Sequence, residues 1–369
     1  MKRGITVFLL LFFVALIGKG QSGLDTTQSK GLFDLTKDRK FVVLPSIYYT
    51  PETRWAFGAV ALGFFRFDKT DTISPISSAG MSFAYTLNDQ ILFQLPFNLY
   101  LSKDKYRILG DIDYFRYPYF FSGVGNDIPQ GYEERYSASF PRIQLVAMRR
   151  VLKSIYTGPR LYMQNTVMEK IDTAGLLATG TIPGSDGGLT NGIGWEVRWD
   201  GRNNVYAPTE GYYMRVSALG FDKFMGSEYQ WNHLLFDLRK YFNLGGDHVI
   251  ALQSYSDFNF GITPFNRMAQ LGGSKIMRGY RKGQYRDQHM TTGQIEYRSP
   301  IWGYVGFAAF LGTGAVADEF NNFSLGNLRP SYGGGIRFAF NRKERINIRL
   351  DYARGENSGE FYFTLSEAF

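Results

Sequence analysis

Apolar and polar side chains alternate in short runs along nearly the whole of this chain. Ile193, Trp195, Val197 and Trp199 interleave with Gly194, Glu196, Arg198 and Asp200. Leu234, Phe236 and Leu238 interleave with Asp237 and Arg239, and Ile348, Leu350 and Tyr352 with Asn347, Arg349 and Asp351. Period-two alternation is the signature of a strand with one wet and one apolar face. The runs predict sixteen strands, at 41–50, 54–66, 75–87, 89–101, 105–115, 135–149, 154–167, 190–200, 209–219, 229–241, 248–260, 290–299, 303–316, 331–341, 345–354 and 360–368. Tight turns at Asn88-Asp89, Ser102-Lys103-Asp104, Leu244-Gly245-Gly246 and Asn341-Arg342-Lys343 are expected at one end, and long loops at 116–134, 168–189 and 261–289 at the other.

A soluble sandwich would alternate in the same way. Three features favour a membrane barrel: charges on the polar face with bulky aromatics on the other, the lack of any sustained helical period, and an even strand count. Aromatic content of 17% fits interfacial girdles. The expected fold is therefore all-β, a sixteen-stranded antiparallel transmembrane barrel over 41–369 with one loop folded inward. Lys2 and Arg3, the apolar stretch 5–17 and the small residues Gly18 and Gly20 read as a signal peptide over 1–20. That run is too short for the ~20 residues of a spanning helix. Residues 21–40 are polar and read as a short periplasmic lead-in. There are no cysteines, so thiolate metal sites and disulfides are excluded. The formal charge of +8 includes Lys2, Arg3 and Lys19 of the signal, and no basic cluster points to nucleic acid.

The run Gly272-Gly273-Ser274-Lys275-Ile276-Met277-Arg278-Gly279-Tyr280 is unlike a surface loop. An arginine between an apolar pair and a Gly-aromatic step suits a loop that turns inward and seats its guanidinium on a carboxylate. Two further motifs flank it. One is Asp200-Gly201-Arg202-Asn203-Asn204 with Pro208-Thr209-Glu210-Gly211-Tyr212. The other runs from Gly293-Gln294-Ile295-Glu296-Tyr297-Arg298 through Phe310-Leu311-Gly312-Thr313-Gly314 to Phe369.

In order and spacing these three motifs resemble the barrel domain of the BamA/TamA outer-membrane superfamily, the bacterial surface antigens, most strongly from Trp195 onward. The resemblance implies that the loop carrying Gly272, Gly273, Arg278, Gly279 and Tyr280 enters the lumen and that Arg278 pairs with wall carboxylates. Glu296 occupies one carboxylate position. The other, two residues before Gly314, is Gly312 here, so Arg278 relies on Glu296 alone or draws on another acid such as Asp257 or Asp351. Whether Arg278 does more than brace the loop stays open. Asp200, Arg202, Asn203, Pro208 and Gly211 form a strand-turn marker of the family, and as residues they are ordinary turn chemistry. Phe363, Leu365 and Phe369, placed on one face of the last strand, resemble the signal that delivers barrels to the outer membrane, with Glu367 departing from the usual aromatic. Gly123-Val124-Gly125-Asn126-Asp127 lacks the strand and helix of a phosphate loop and reads as a loop turning over the rim.

His233, His248 and His289 are scattered, with no catalytic spacing, so no enzyme, metal or cofactor is expected. The expectation is a monomeric barrel of a Gram-negative outer membrane, in contact with lipid and lipopolysaccharide, that assists insertion or translocation of proteins through a lateral seam. Pro45 in the first strand would weaken that seam, though its plainer reading is an edge irregularity. The alternative is a passive channel or scaffold working with a separate periplasmic or outer-membrane protein partner.

Overall fold

In the computed structural model, the described residues are 39–50, 54–129, 131–342 and 345–369. The expected signal peptide and nearly all of the lead-in lie outside them. Sixteen strands form one antiparallel sheet in chain order. They are β1 (Arg39–Thr50), β2 (Arg54–Phe65), β3 (Ser77–Thr86), β4 (Ile91–Leu101), β5 (Tyr106–Phe121), β6 (Glu134–Leu152), β7 (Ile155–Lys170), β8 (Gly187–Asp200), β9 (Gly211–Phe221), β10 (Trp231–Gly245) and β11 (His248–Gly261), followed after a long loop by β14 (His289–Trp302), β15 (Val305–Ala317), β16 (Arg329–Asn341), β17 (Ile346–Gly355) and β18 (Ser358–Leu365). The loop between β11 and β14 carries its own small ladder, β12 (Ala269–Leu271) against β13 (Tyr285–Asp287).

The alternation seen in the sequence becomes an inverted burial pattern. On β8, Trp195 is 53% exposed while Glu196 is fully buried. On β17, Leu350 and Tyr352 face outward, and Arg349 and Asp351 are buried. Apolar side chains outside and charges inside are the arrangement of a barrel whose solvent is lipid. A charged wall needs partners, and the inner face supplies them by cross-strand ion pairs. Arg160, Arg198 and Arg215, from three adjacent strands, all converge on Glu196.

Each predicted strand is present, with shifted limits at several. β5 continues through Tyr119, Phe120 and Phe121, which the sequence placed in a loop, because Phe121 packs with Tyr136, Leu177 and Phe265 under the neighbouring loops. Since consecutive connections alternate between the two ends, the Asn88-Asp89 turn lies at the same end as the long loops, not with the other tight turns. The connections 66–76 and 201–210 lie at the opposite end. The largest correction concerns the C-terminal strand, predicted over 360–368. It stops at Leu365, and Ser366 takes φ 67°, a left-handed conformation that breaks the extended run. Phe361 and Phe363 remain on the outer face, but Glu367, Ala368 and Phe369 turn inward and are buried. They are not on one face, because Glu367 is drawn to Arg337 in the lumen at 2.8 Å.

Candidate functional site

The inward loop and the wall beneath it form the most elaborate polar assembly in the described residues. Its floor is laid by strand register. Glu296 on β14 lies opposite Phe310 on β15, and Phe310 lies opposite Gly333 on β16. Two residues along, Gly335 pairs with Asp351 on β17, and Asp351 with Tyr362 on β18. The glycines matter here: a Cβ at Gly333 would come within 2.7 Å of the Phe310 ring, and one at Gly335 would collide with the Asp351 carboxylate. The small residues of β16 thus let one aromatic and one acid lie flat against the wall.

Arg278 descends onto this floor. It is fully buried, with its guanidinium 3.4 Å from the centre of the Phe310 ring. Nη2 lies 2.6 Å from Glu296 Oε2, and Nη1 donates to Asp351 Oδ2 at 2.7 Å. The guanidinium therefore bridges two carboxylates on strands far apart in sequence, with an aromatic face beneath it. Asp257, the other acid considered, is instead 3.0 Å from His233. Gly312 is occupied differently: its bare Cα leaves room for Met277, whose sulfur would be 3.2 Å from a Cβ there.

The residues around Arg278 extend the arrangement. Gly279 donates its amide to the Tyr362 hydroxyl at 2.9 Å, and its carbonyl accepts from Ser358 Oγ at 2.6 Å. The Tyr280 hydroxyl donates to the Pro330 carbonyl at 2.6 Å and accepts from the Glu356 amide at 2.9 Å. Gly279 has φ +108° and presses on the Arg354 backbone, a position only glycine fills without strain. Gly272 and Gly273 also have positive φ, and Gly273 donates to the Tyr280 carbonyl, closing the neck of the loop.

Three more arginines share the same carboxylates. Arg337 contacts Asp351 at 2.5 Å, Glu367 at 2.8 Å and Glu296 at 3.5 Å. Arg298 contacts Glu296 at 2.6 Å. Arg349 contacts Asp351 at 3.2 Å and donates to the Ser274 carbonyl of the loop at 2.8 Å. Sequence reasoning assigned no role to Arg298, Arg337, Arg349 or Phe310. The available signal was charge on the inward face of neighbouring strands, but it becomes specific only once register aligns those strands.

Arg298 carries the network to the opposite end. It donates to the carbonyl of Phe369 at 2.8 Å and to that of Pro208 at 3.3 Å. The strand-turn motif is held there by its own bonds. Asp200 takes a two-pronged pair from Arg202 at 2.8 and 2.9 Å, and Asn203 exchanges hydrogen bonds with Thr209. Gly211, at φ +104°, backs onto the Gly201 carbonyl. The Glu367 amide donates to the Tyr206 carbonyl at 3.2 Å. The three motifs separated in sequence thus meet through one chain of contacts, Arg278 to Glu296 to Arg298 to Pro208 and Phe369. Of the C-terminal residues, Phe363 is outward and Phe369 packs with Tyr241 and Ala251. The Leu365 side chain lies outside the described set. Among the described residues, no group of three or more His, Asp or Glu is placed to hold a metal ion.

The architecture is shared with solved outer-membrane barrels. The BamA structure from Haemophilus ducreyi lacking POTRA domains 1-3 superposes with a TM-score of 0.59 at 14% identity, covering 88% of this chain and 70% of that one. CdiB from Acinetobacter baumannii gives 0.56 at 12% identity, covering 89% and 59%, and CdiB from Escherichia coli gives 0.57 at 8%, covering 89% and 62%. This chain spans about three fifths of each CdiB. No curated protein sequence matches it. Residues 160–369 match the Omp85 superfamily domain, the region that holds the loop, its carboxylates and the strand-turn motif. This chain is an outer-membrane β-barrel that belongs to the Omp85 superfamily.

Proposed function

We propose that this barrel assists the insertion or translocation of proteins at the outer membrane, through a seam between β1 and β18. The observation that carries the reading is where the inward loop takes hold. Arg278, Gly279 and Tyr280 contact β14, β16, β17 and β18, the last strands of the sheet. A loop fixed to those strands sets how firmly the C-terminal side of the seam is held. An edge strand that parts from its neighbour offers unpaired amides and carbonyls on which a client strand can add. Pro45 removes one donor from β1, the other side of the seam.

In this reading Arg278, with Glu296 and Asp351, anchors the loop, and the Asp200 to Gly211 motif holds the tail that follows β18. Export through a leader at 1–20, delivery through Phe363, Leu365 and Phe369, and a periplasmic partner supplied as a separate chain belong to the same proposal. The role is non-enzymatic. The test is reconstitution of the full chain into liposomes, followed by the folding rate of a urea-denatured outer-membrane barrel. The rate should rise several-fold over empty liposomes. Equal rates would remove the insertion reading and leave a scaffold.

A further inference from the structure

Beside the Arg278 assembly, between the inward loop and the walls of β4 to β11, lies a chamber of about 660 Å³. That volume is typical of a small-molecule site, ~300–1,000 Å³. Its charge is unbalanced. Arg160, Arg198 and Arg215 share the single carboxylate of Glu196. The Nε atoms of Arg160, Arg215 and Arg267 are buried and have no acceptor among the described residues. Arg267 rests on the Tyr162 ring at 4.1 Å, and no carboxylate pairs with it among the described residues. Lys275 and Lys282, both on the inward loop, line the same space, and among the described residues neither has an ion-pair partner. Both stay accessible to water. Arg142 has its acids, Asp113 and Asp111, and His233 has Asp257, so the carboxylates present are already engaged.

We propose that this chamber is a binding site for a small, soluble, multivalent oxyanion of the phosphate class. Guanidinium and ammonium groups converging from the wall and the loop are the donors that such an anion needs. Arg239 and Arg349 lie near Lys275, and Arg142 and Arg267 near Lys282. The like charges thus repel one another across the chamber, and a bound polyanion would relieve that repulsion. The ligand is soluble rather than a lipid headgroup, because every neighbouring pair from β4 to β11 is hydrogen-bonded and leaves no lateral path for acyl chains. The site stands apart from the insertion reading and does not depend on it.

The experiment is titration calorimetry of inorganic pyrophosphate into the full chain in phosphatidylcholine nanodiscs at low salt. One saturable event is expected, weakening as salt rises. The double variant Lys275→Gln/Lys282→Gln should lose at least tenfold in affinity. Lys223→Gln, an exposed charge outside the chamber, should bind as the parent does. Heat-modifiable migration on gels establishes that each variant is folded. Vesicles containing phosphatidic acid should not displace the pyrophosphate. Absence of saturable binding, an affinity unchanged in the folded double variant, an equal loss in Lys223→Gln, or displacement by the vesicles would each overturn the proposal.

Discussion

Arg278 reaches Asp351 at 2.7 Å, joining a loop that leaves the sheet after β11 to the penultimate strand. The second carboxylate expected two residues before Gly314 is missing, and its place in the ion pair is taken from two strands further on. The exchange is sterically linked. Gly312 makes room for Met277, while Gly335 makes room for Asp351, so the guanidinium stacks on Phe310 of β15 but takes its second carboxylate from β17.

Four arginines, at 278, 298, 337 and 349, share three acids, Glu296, Asp351 and Glu367. Removing a cation from an over-positive cluster should therefore cost less than removing an anion. Arg278→Ala should destabilise by about 2–3 kcal/mol, through lost ion pairs and the lost stack on Phe310, and Glu296→Gln by about 3–5 kcal/mol, because three guanidiniums lose their shared acceptor. The unfolding temperature of each barrel on gels checks the order. If Arg278→Ala proves the more damaging, the charge accounting is wrong.

Gly312→Asp restores the family carboxylate in sequence but not in space. A Cβ there would meet the Met277 sulfur and Gln294 Cγ, each at 3.2 Å. The substitution should destabilise by ~1–3 kcal/mol through overpacking. Combining it with Asp351→Asn should be worse than either alone. Double-variant melting temperatures test this, and recovery of stability would mean that the loop can reseat on β15.

Gly279→Ala should unseat the tip of the loop. The residue has φ +108°, and a side chain would strike the Arg354 backbone. Proteolysis within 262–288 should become faster in the folded barrel, while the strands stay protected. Unchanged protection would place the loop elsewhere than described.

Asp71 governs the connection 66–76, outside the spanning strands. Its carboxylate accepts from the Ser74 hydroxyl and amide and from the amides of Ile73 and Lys103. The Ser74 hydrogen bonds foremost hold it well below the usual carboxylate range. A depressed folded value contributes stability above the unfolded pKa of about 4, and that stability is lost as pH falls toward the folded value. Asp71→Asn should lower the unfolding temperature at neutral pH and shrink the difference between neutral and acid pH. An unaltered acid dependence would contradict this.

The strands were legible because period two survives in lipid as in water: only the identity of the outer face changes. Trp195 and Glu196 show both faces in adjacent residues. The tail was misread for a physical reason. Glu367 sits where alternation demands an outward apolar side chain, and a carboxylate has no partner in lipid. It turns to Arg337 and takes Phe369 with it. Arg278 was legible as an inward anchor from its neighbours in sequence. Asp351 on β17 was named only as one option beside Asp257 or Glu296 alone, because the choice among them rests on register and on which glycine leaves space.

A barrel that acts on other proteins at the outer membrane should leave its mark there when it is depleted, which quantitative proteomics of that membrane reads. One or more integral barrel proteins should fall while their transcripts hold steady, and the parent chain should restore them better than Arg278→Ala does. An outer-membrane protein inventory unchanged after depletion would contradict it.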